Sequence, residues 1–89
     1  MPLQILSSPS QPQEIAEDLR RAILAAIPGA DVHVDAMSAG HYEIRVVSDV
    51  FESKSRVGQQ QLVYGAIAHL MKGDAAPVHA IDRLQTEIP

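Results

Sequence analysis

The chain reads as an α+β domain in which helices cover one face of a three-stranded sheet. Three observations predict this class. Two long stretches place apolar residues at three- and four-residue spacing, three short stretches read as strands, and their order is α-β-β-α-β with a polar hook before the second helix. The 89 residues, 46% hydrophobic, suffice for one core and are too few for two domains.

Residues 1–13 hold three prolines, three serines, three glutamines and no charged side chain, and are expected to form a flexible lead-in to a domain over 14–89. Ser10, Pro12 and Gln13 resemble a helix start, with the serine capping free amides and Gln13 reaching back as in a capping box. The helix is expected to run to about Ile27. Ile15, Leu19, Ala22, Ile23, Ala26 and Ile27 form its apolar face, Glu17, Asp18, Arg20 and Arg21 the other, and Pro28-Gly29 ends it.

Two runs of alternating residues follow, Asp31 to Met37 and Tyr42 to Ser48, joined by Ser38-Ala39-Gly40 as a hairpin with one buried face. Ser48 to Gly58 is polar around Phe51, which should anchor an ordered turn or short helical hook. Leu62, Val63, Ala66, Ile67, Leu70 and Met71 give a second helix, from about Val57 to Lys72, a wide apolar stripe ended by Gly73-Asp74. Val78 to Gln85 is expected as the last strand. Asp82 and Arg83 interrupt its alternation and mark an edge position or a bulge. Leu19, Ile23, Ile44, Val46, Phe51, Leu62, Val63, Ile67 and Leu70 are the expected core.

Composition excludes several function classes. With no cysteine the chain has no disulfide framework, no thiolate nucleophile and no thiolate metal site of its own. A formal charge of −4 is not the basic footprint of phosphate-driven nucleic-acid binding. No run approaches a membrane span and no signal-peptide pattern opens the chain, so a cytoplasmic location is the expectation. Ser38, His41 and Asp35 look like a catalytic set on paper, but on a hairpin turn serine, glycine and aspartate are ordinary turn chemistry. The chain is therefore expected not to be an enzyme. The histidines at 33, 41, 69 and 79 lie on four different elements, so only the fold could bring them together. His33 is expected on a solvated sheet face and His69 on the polar flank of the second helix.

Four ordered pieces carry a resemblance. They are Gly40-His41-Tyr42-Glu43-Ile44; Val46-Val47-Ser48-Asp49 with Phe51; Lys54-Ser55-Arg56-Val57 with Gln59-Gln60-Gln61 and Val63-Tyr64-Gly65; and Val78-His79-Ala80. Together they resemble the BolA family, most nearly its IbaG-like branch, over about residues 14–86. Gln59-Gln60-Gln61 stands where most members carry Arg-His-Arg, Phe51-Glu52-Ser53 replaces the usual Phe-x-Gly, and the usual Thr-Pro-x-x-Trp tail does not follow at Thr86. The resemblance implies an α-β-β-α-α-β fold similar to class II KH domains.

It also implies a function. BolA-like proteins pair with monothiol glutaredoxins and share a [2Fe-2S] cluster with the glutaredoxin and its glutathione, acting in iron-sulfur cluster trafficking and iron homeostasis. The partner's thiolates would hold one iron, and neutral imidazoles from a cysteine-free chain could replace thiolate at the other. His79 matches the family's C-terminal ligand histidine. His41 is the candidate in the loop between the first two strands, with His33 as the alternative. No cluster is expected on the isolated chain, which should be a monomer. The KH-like fold raises the alternative of a nucleic-acid-binding regulator, with Lys54 and Arg56 as the local basic pair; the chain lacks the Gly-x-x-Gly clamp of KH domains.

Overall fold

The computed structural model describes residues 11–89. Ser10, expected to cap the first helix, and most of the 1–13 lead-in lie outside these residues. Helix α1 spans Pro12–Ala26, with Pro12 in its first turn, where a missing N–H costs nothing. The residue that reaches back is Glu14 and not Gln13: its Oε1 accepts from the Gln11 backbone N–H at 2.9 Å. Four residues cannot separate Ser10 and Glu14 in a capping box, and Gln11 therefore takes the cap position.

Strand β1 (Asp31–Ala36) pairs antiparallel with β2 (His41–Val47), in the register Val32 to Val46 and Val34 to Ile44. A 3-10 helix over Asp49–Ser53 forms the hook, and Phe51 on it is fully buried. This single tight turn is the additional helix of the expected order. Helix α2 (Arg56–Met71) starts at Ser55, whose Oγ accepts from the Gly58 N–H at 3.1 Å. Strand β3 (Ala80–Glu87) then lies parallel to β2, giving the sheet order β1-β2-β3 with β2 central.

Both expectations for the last strand hold: β3 is an edge, and its register against β2 shifts between Tyr42 and Glu43. Ile81 stands opposite Tyr42 and Arg83 opposite Glu43, leaving Asp82 as the extra residue. Ile81 and Leu84 are three apart, so strict alternation would put them on opposite faces; one bulge turns both toward the helices. The strand begins two residues later than its composition suggests. Val78 is buried, and its N–H donates to the Leu70 carbonyl at 3.2 Å, so it closes the end of α2 instead of extending the sheet.

The core lies between α1, α2 and one sheet face. Leu19, Ile23, Ile44, Val46, Phe51, Val63 and Ile67 are buried as expected, joined by Tyr42 and Val78. Leu62 and Leu70 differ: they are only partly buried and pack against the core from its margin. Three strands and one neighbouring helix cannot cover the full width of the α2 stripe.

One buried residue of α2 is polar. The Gln59 amide donates to the carbonyls of Phe51 (3.0 Å) and Lys54 (3.2 Å), and its Oε1 accepts from the Thr86 hydroxyl at 2.7 Å. Hook, helix and edge strand are thereby clamped through one side chain.

Candidate metal site

The hairpin turn sets the site. Met37 N–H donates to the His41 carbonyl and His41 N–H to that of Ser38, both at 2.9 Å, and Gly40 between them has φ +79°. Only glycine reaches this left-handed conformation without a steric penalty. The Gly40 carbonyl then accepts from two amides at the entrance to β3, His79 at 2.8 Å and Ala80 at 3.1 Å. His79 therefore sits beside the turn, although 38 residues, spanning β2, the hook, α2 and a loop, separate it from Gly40 in the chain.

The two residues also touch through the His79 ring. A Cβ on Gly40 would lie 2.7 Å from His79 Nδ1 and 2.8 Å from its Cγ, closer than side-chain packing permits. The missing Cβ is the space the imidazole uses. His41 follows at once as the first residue of β2, in register with Ala80, so the structure brings His41 and His79 to the same corner of the sheet. His79 is exposed and His41 half-buried.

His41 is held by a second contact. Its Nδ1 donates to Asp82 Oδ1 at 2.8 Å, with both side chains 40% exposed. Asp82 can reach because the bulge sets it on the open face next to His41. The partner of His41 is thus Asp82, and Ser38 and Asp35 assemble no triad with it. Nothing in the sequence pairs residues 41 and 82; the only signal was the broken alternation at Asp82-Arg83.

The other candidates lie elsewhere. His33 is exposed on β1, opposite Arg45, with its Nε2 3.2 Å from Asp31 Oδ1. Arg45 is four residues along β2 from His41, about 13 Å of strand, so His33 does not join the corner. His69 is exposed near the end of α2. Lys54 and Arg56 are exposed on the hook and at the start of α2, past the far end of β2, and Asp49 and Glu52 on the same hook balance their charge. On the open sheet face near that far end, Arg45 forms a two-pronged pair with Glu87, both contacts 2.9 Å. The guanidinium holds the Glu87 carboxyl below the usual carboxylate range.

Chemically the corner offers two imidazoles and no thiolate. Among the described residues no three His, Cys, Asp or Glu side chains gather into a group that could hold a metal ion. Two imidazoles alone fall short of a complete coordination shell. No helix among these residues is long and apolar enough to cross a membrane.

Comparison with known proteins agrees with the architecture. The sequence model of the family described as BolA-like protein matches residues 25–87. An uncharacterised protein in the rpoN–murA intergenic region of Acinetobacter guillouiae is 36% identical over 67 residues, spanning 74% of this chain and 76% of that protein. A solved bolA protein homologue from Coxiella burnetii is 26% identical with a TM-score of 0.65, over 82% of this chain and 88% of that one. BolA1 from Arabidopsis thaliana shares the fold at 20% identity, with a TM-score of 0.68 over 83% and 90% of the two chains.

Proposed function

This chain belongs to the BolA-like family, and from that premise we propose that it is a non-enzymatic adaptor. It pairs with a monothiol glutaredoxin and shares a [2Fe-2S] cluster with it and with glutathione, in iron-sulfur cluster trafficking and iron homeostasis. The observation that supports this reading most is the seating of His79 against Gly40, beside His41. A neutral imidazole is a good ligand for iron, and a cluster with nitrogen at one iron and sulfur at the other differs in potential and lability from an all-thiolate one.

The chain's own part is to present nitrogen donors from a rigid corner. His79 is tied through its backbone N–H to the turn, and His41 through its ring to Asp82. The missing thiolates make the partner obligatory: with no cysteine, the isolated chain cannot complete the shell. The nucleic-acid reading has less support, because Lys54 and Arg56 share their hook with two carboxylates and lie away from the histidine corner.

The experiment is to mix the chain with a monothiol glutaredoxin that carries a cluster and to record visible absorption and circular dichroism with the mass of the complex. A changed spectrum from a one-to-one complex is the expected result. An unchanged glutaredoxin spectrum refutes the reading, and a salt-dependent shift of duplex DNA at micromolar protein would favour the regulator.

A further inference from the structure

We infer that Asp82, carried onto the open face by the β3 bulge, is a positioning residue that fixes the tautomer of His41 and turns its Nε2 outward as the donor atom. The inference rests on the ligand role proposed above for this corner, and it assigns a function to a residue outside the four pieces that carry the family resemblance.

The argument begins with hydrogen-bond chemistry. A carboxylate only accepts, so a 2.8 Å contact between Asp82 Oδ1 and His41 Nδ1 places the ring proton on Nδ1. The neutral ring then keeps its lone pair on Nε2, the nitrogen farther from the backbone. Metal-binding histidines recurrently donate their second nitrogen to a carboxylate in this way, which sets the ring's orientation and raises its basicity as a ligand.

His33 provides the contrast within the same sheet. Its neighbour Asp31 stands 3.2 Å from Nε2, an ion-pair distance without a hydrogen bond, so no carboxylate holds a proton on its Nδ1. The pair is also more exposed, at 52% and 69% against 40% for each member of the His41–Asp82 pair. Of the two histidines that could serve as the second ligand, only His41 has its Nδ1 hydrogen-bonded to a carboxylate.

The bulge is what makes the contact possible. Ala80 is in register with His41 and Arg83 with Glu43, so Asp82 is the residue without a cross-strand partner and is free to lean toward the ring. Its exposure makes replacement tolerable for folding.

The test uses the full chain labelled with nitrogen-15. Long-range proton–nitrogen correlations above the imidazole titration range should show neutral His41 with its proton on Nδ1. Asp82→Ala should shift the population toward Nε2–H while His33 keeps its own pattern, and Asp82→Glu should restore the wild-type signature. In the cluster-bearing complex with glutaredoxin, Asp82→Ala should shorten cluster retention about 10–100-fold, with apo-complex formation unchanged. A wild-type His41 carrying its proton on Nε2, or an unaltered His41 tautomer in Asp82→Ala, overturns the inference. So does full cluster retention by Asp82→Ala despite a changed tautomer. If the wild-type chain forms no cluster-bearing complex, the function proposed above fails, and the tautomer measurement still decides the role of Asp82.

Discussion

Replacing Gln59 with leucine should destabilise the domain by about 2–4 kcal/mol, although leucine is more hydrophobic and nearly the same size. Gln59 makes three side-chain hydrogen bonds in a buried setting, to the carbonyls of Phe51 and Lys54 and from the hydroxyl of Thr86. Each is worth about 0.5–1.5 kcal/mol net, and a buried partner left alone costs about 1–3 kcal/mol. The Phe51 carbonyl keeps the Lys54 N–H at 3.1 Å, so it is not orphaned. The Thr86 hydroxyl and the Lys54 carbonyl bear most of the loss, and added apolar burial offsets part of it. Thr86→Val should cost about 1–3 kcal/mol by leaving Gln59 Oε1 unmatched. The double variant should cost less than the two single losses added together, because neither orphan of that pair then remains. Urea unfolding followed by far-ultraviolet circular dichroism measures this. With a slope of about 1 kcal/mol/M for so small a domain, the Gln59→Leu midpoint should fall by about 2 M or more. A midpoint within about 0.5 M of wild type, or strict additivity in the double variant, would refute the clamp.

Three other outcomes are expected. Phe51→Ala should cost about 3–5 kcal/mol in the same unfolding assay, since the ring is fully buried and the hook has no other large anchor; a loss below about 1 kcal/mol would contradict its role. Gly40→Ala adds a carbon 2.7 Å from His79 Nδ1 at φ +79°, so stability should fall by about 1–2 kcal/mol and the His79 ring resonances should move; unmoved resonances would show that the imidazole does not rest there. The carboxyls of Glu17 and Glu87 are held below their ordinary value of 4.5 by hydrogen bonds from Arg20 and Arg45. A lowered folded-state value means stability that is present above pH 4.5 and lost as pH falls through the folded values, so acid unfolding of Glu87→Gln should be less steep below pH 4.5 than that of wild type.

The sequence made most of the fold legible because local chemistry decides it. Ile15, Leu19 and Ile23 mark the buried side of α1 through simple spacing, and the alternation of Tyr42, Ile44 and Val46 gives the buried face of β2. The bulge was readable for the same reason: Asp82 and Arg83 break a period that only an extra residue can restore. Gln59 was hidden, since a run of three glutamines does not reveal which one meets the carbonyls of a hook. Leu62 and Leu70 misled because a helix stripe shows what could be buried, whereas the width of the sheet decides what is. The site depended on tertiary register. His41 and His79 meet through a parallel pairing of β2 with β3 across a long crossover, which no spacing encodes, and their joint candidacy came from the family resemblance alone.

The central claim is that this chain lends an imidazole from His79 to a cluster held by its partner. It is tested most directly by mixing wild-type, His79→Ala and His69→Ala chains with a cluster-bearing monothiol glutaredoxin and comparing visible circular dichroism. His79 is exposed, so its removal should leave folding nearly unchanged, and the exposed His69, which lines the groove between α2 and Asp18, Arg21 and Ala22 of α1, serves as the control. The wild-type and His69→Ala chains should both convert the glutaredoxin spectrum to that of a mixed cluster, and His79→Ala, folded and still able to dock, should not. A His79→Ala chain that yields the full wild-type spectrum would contradict the account.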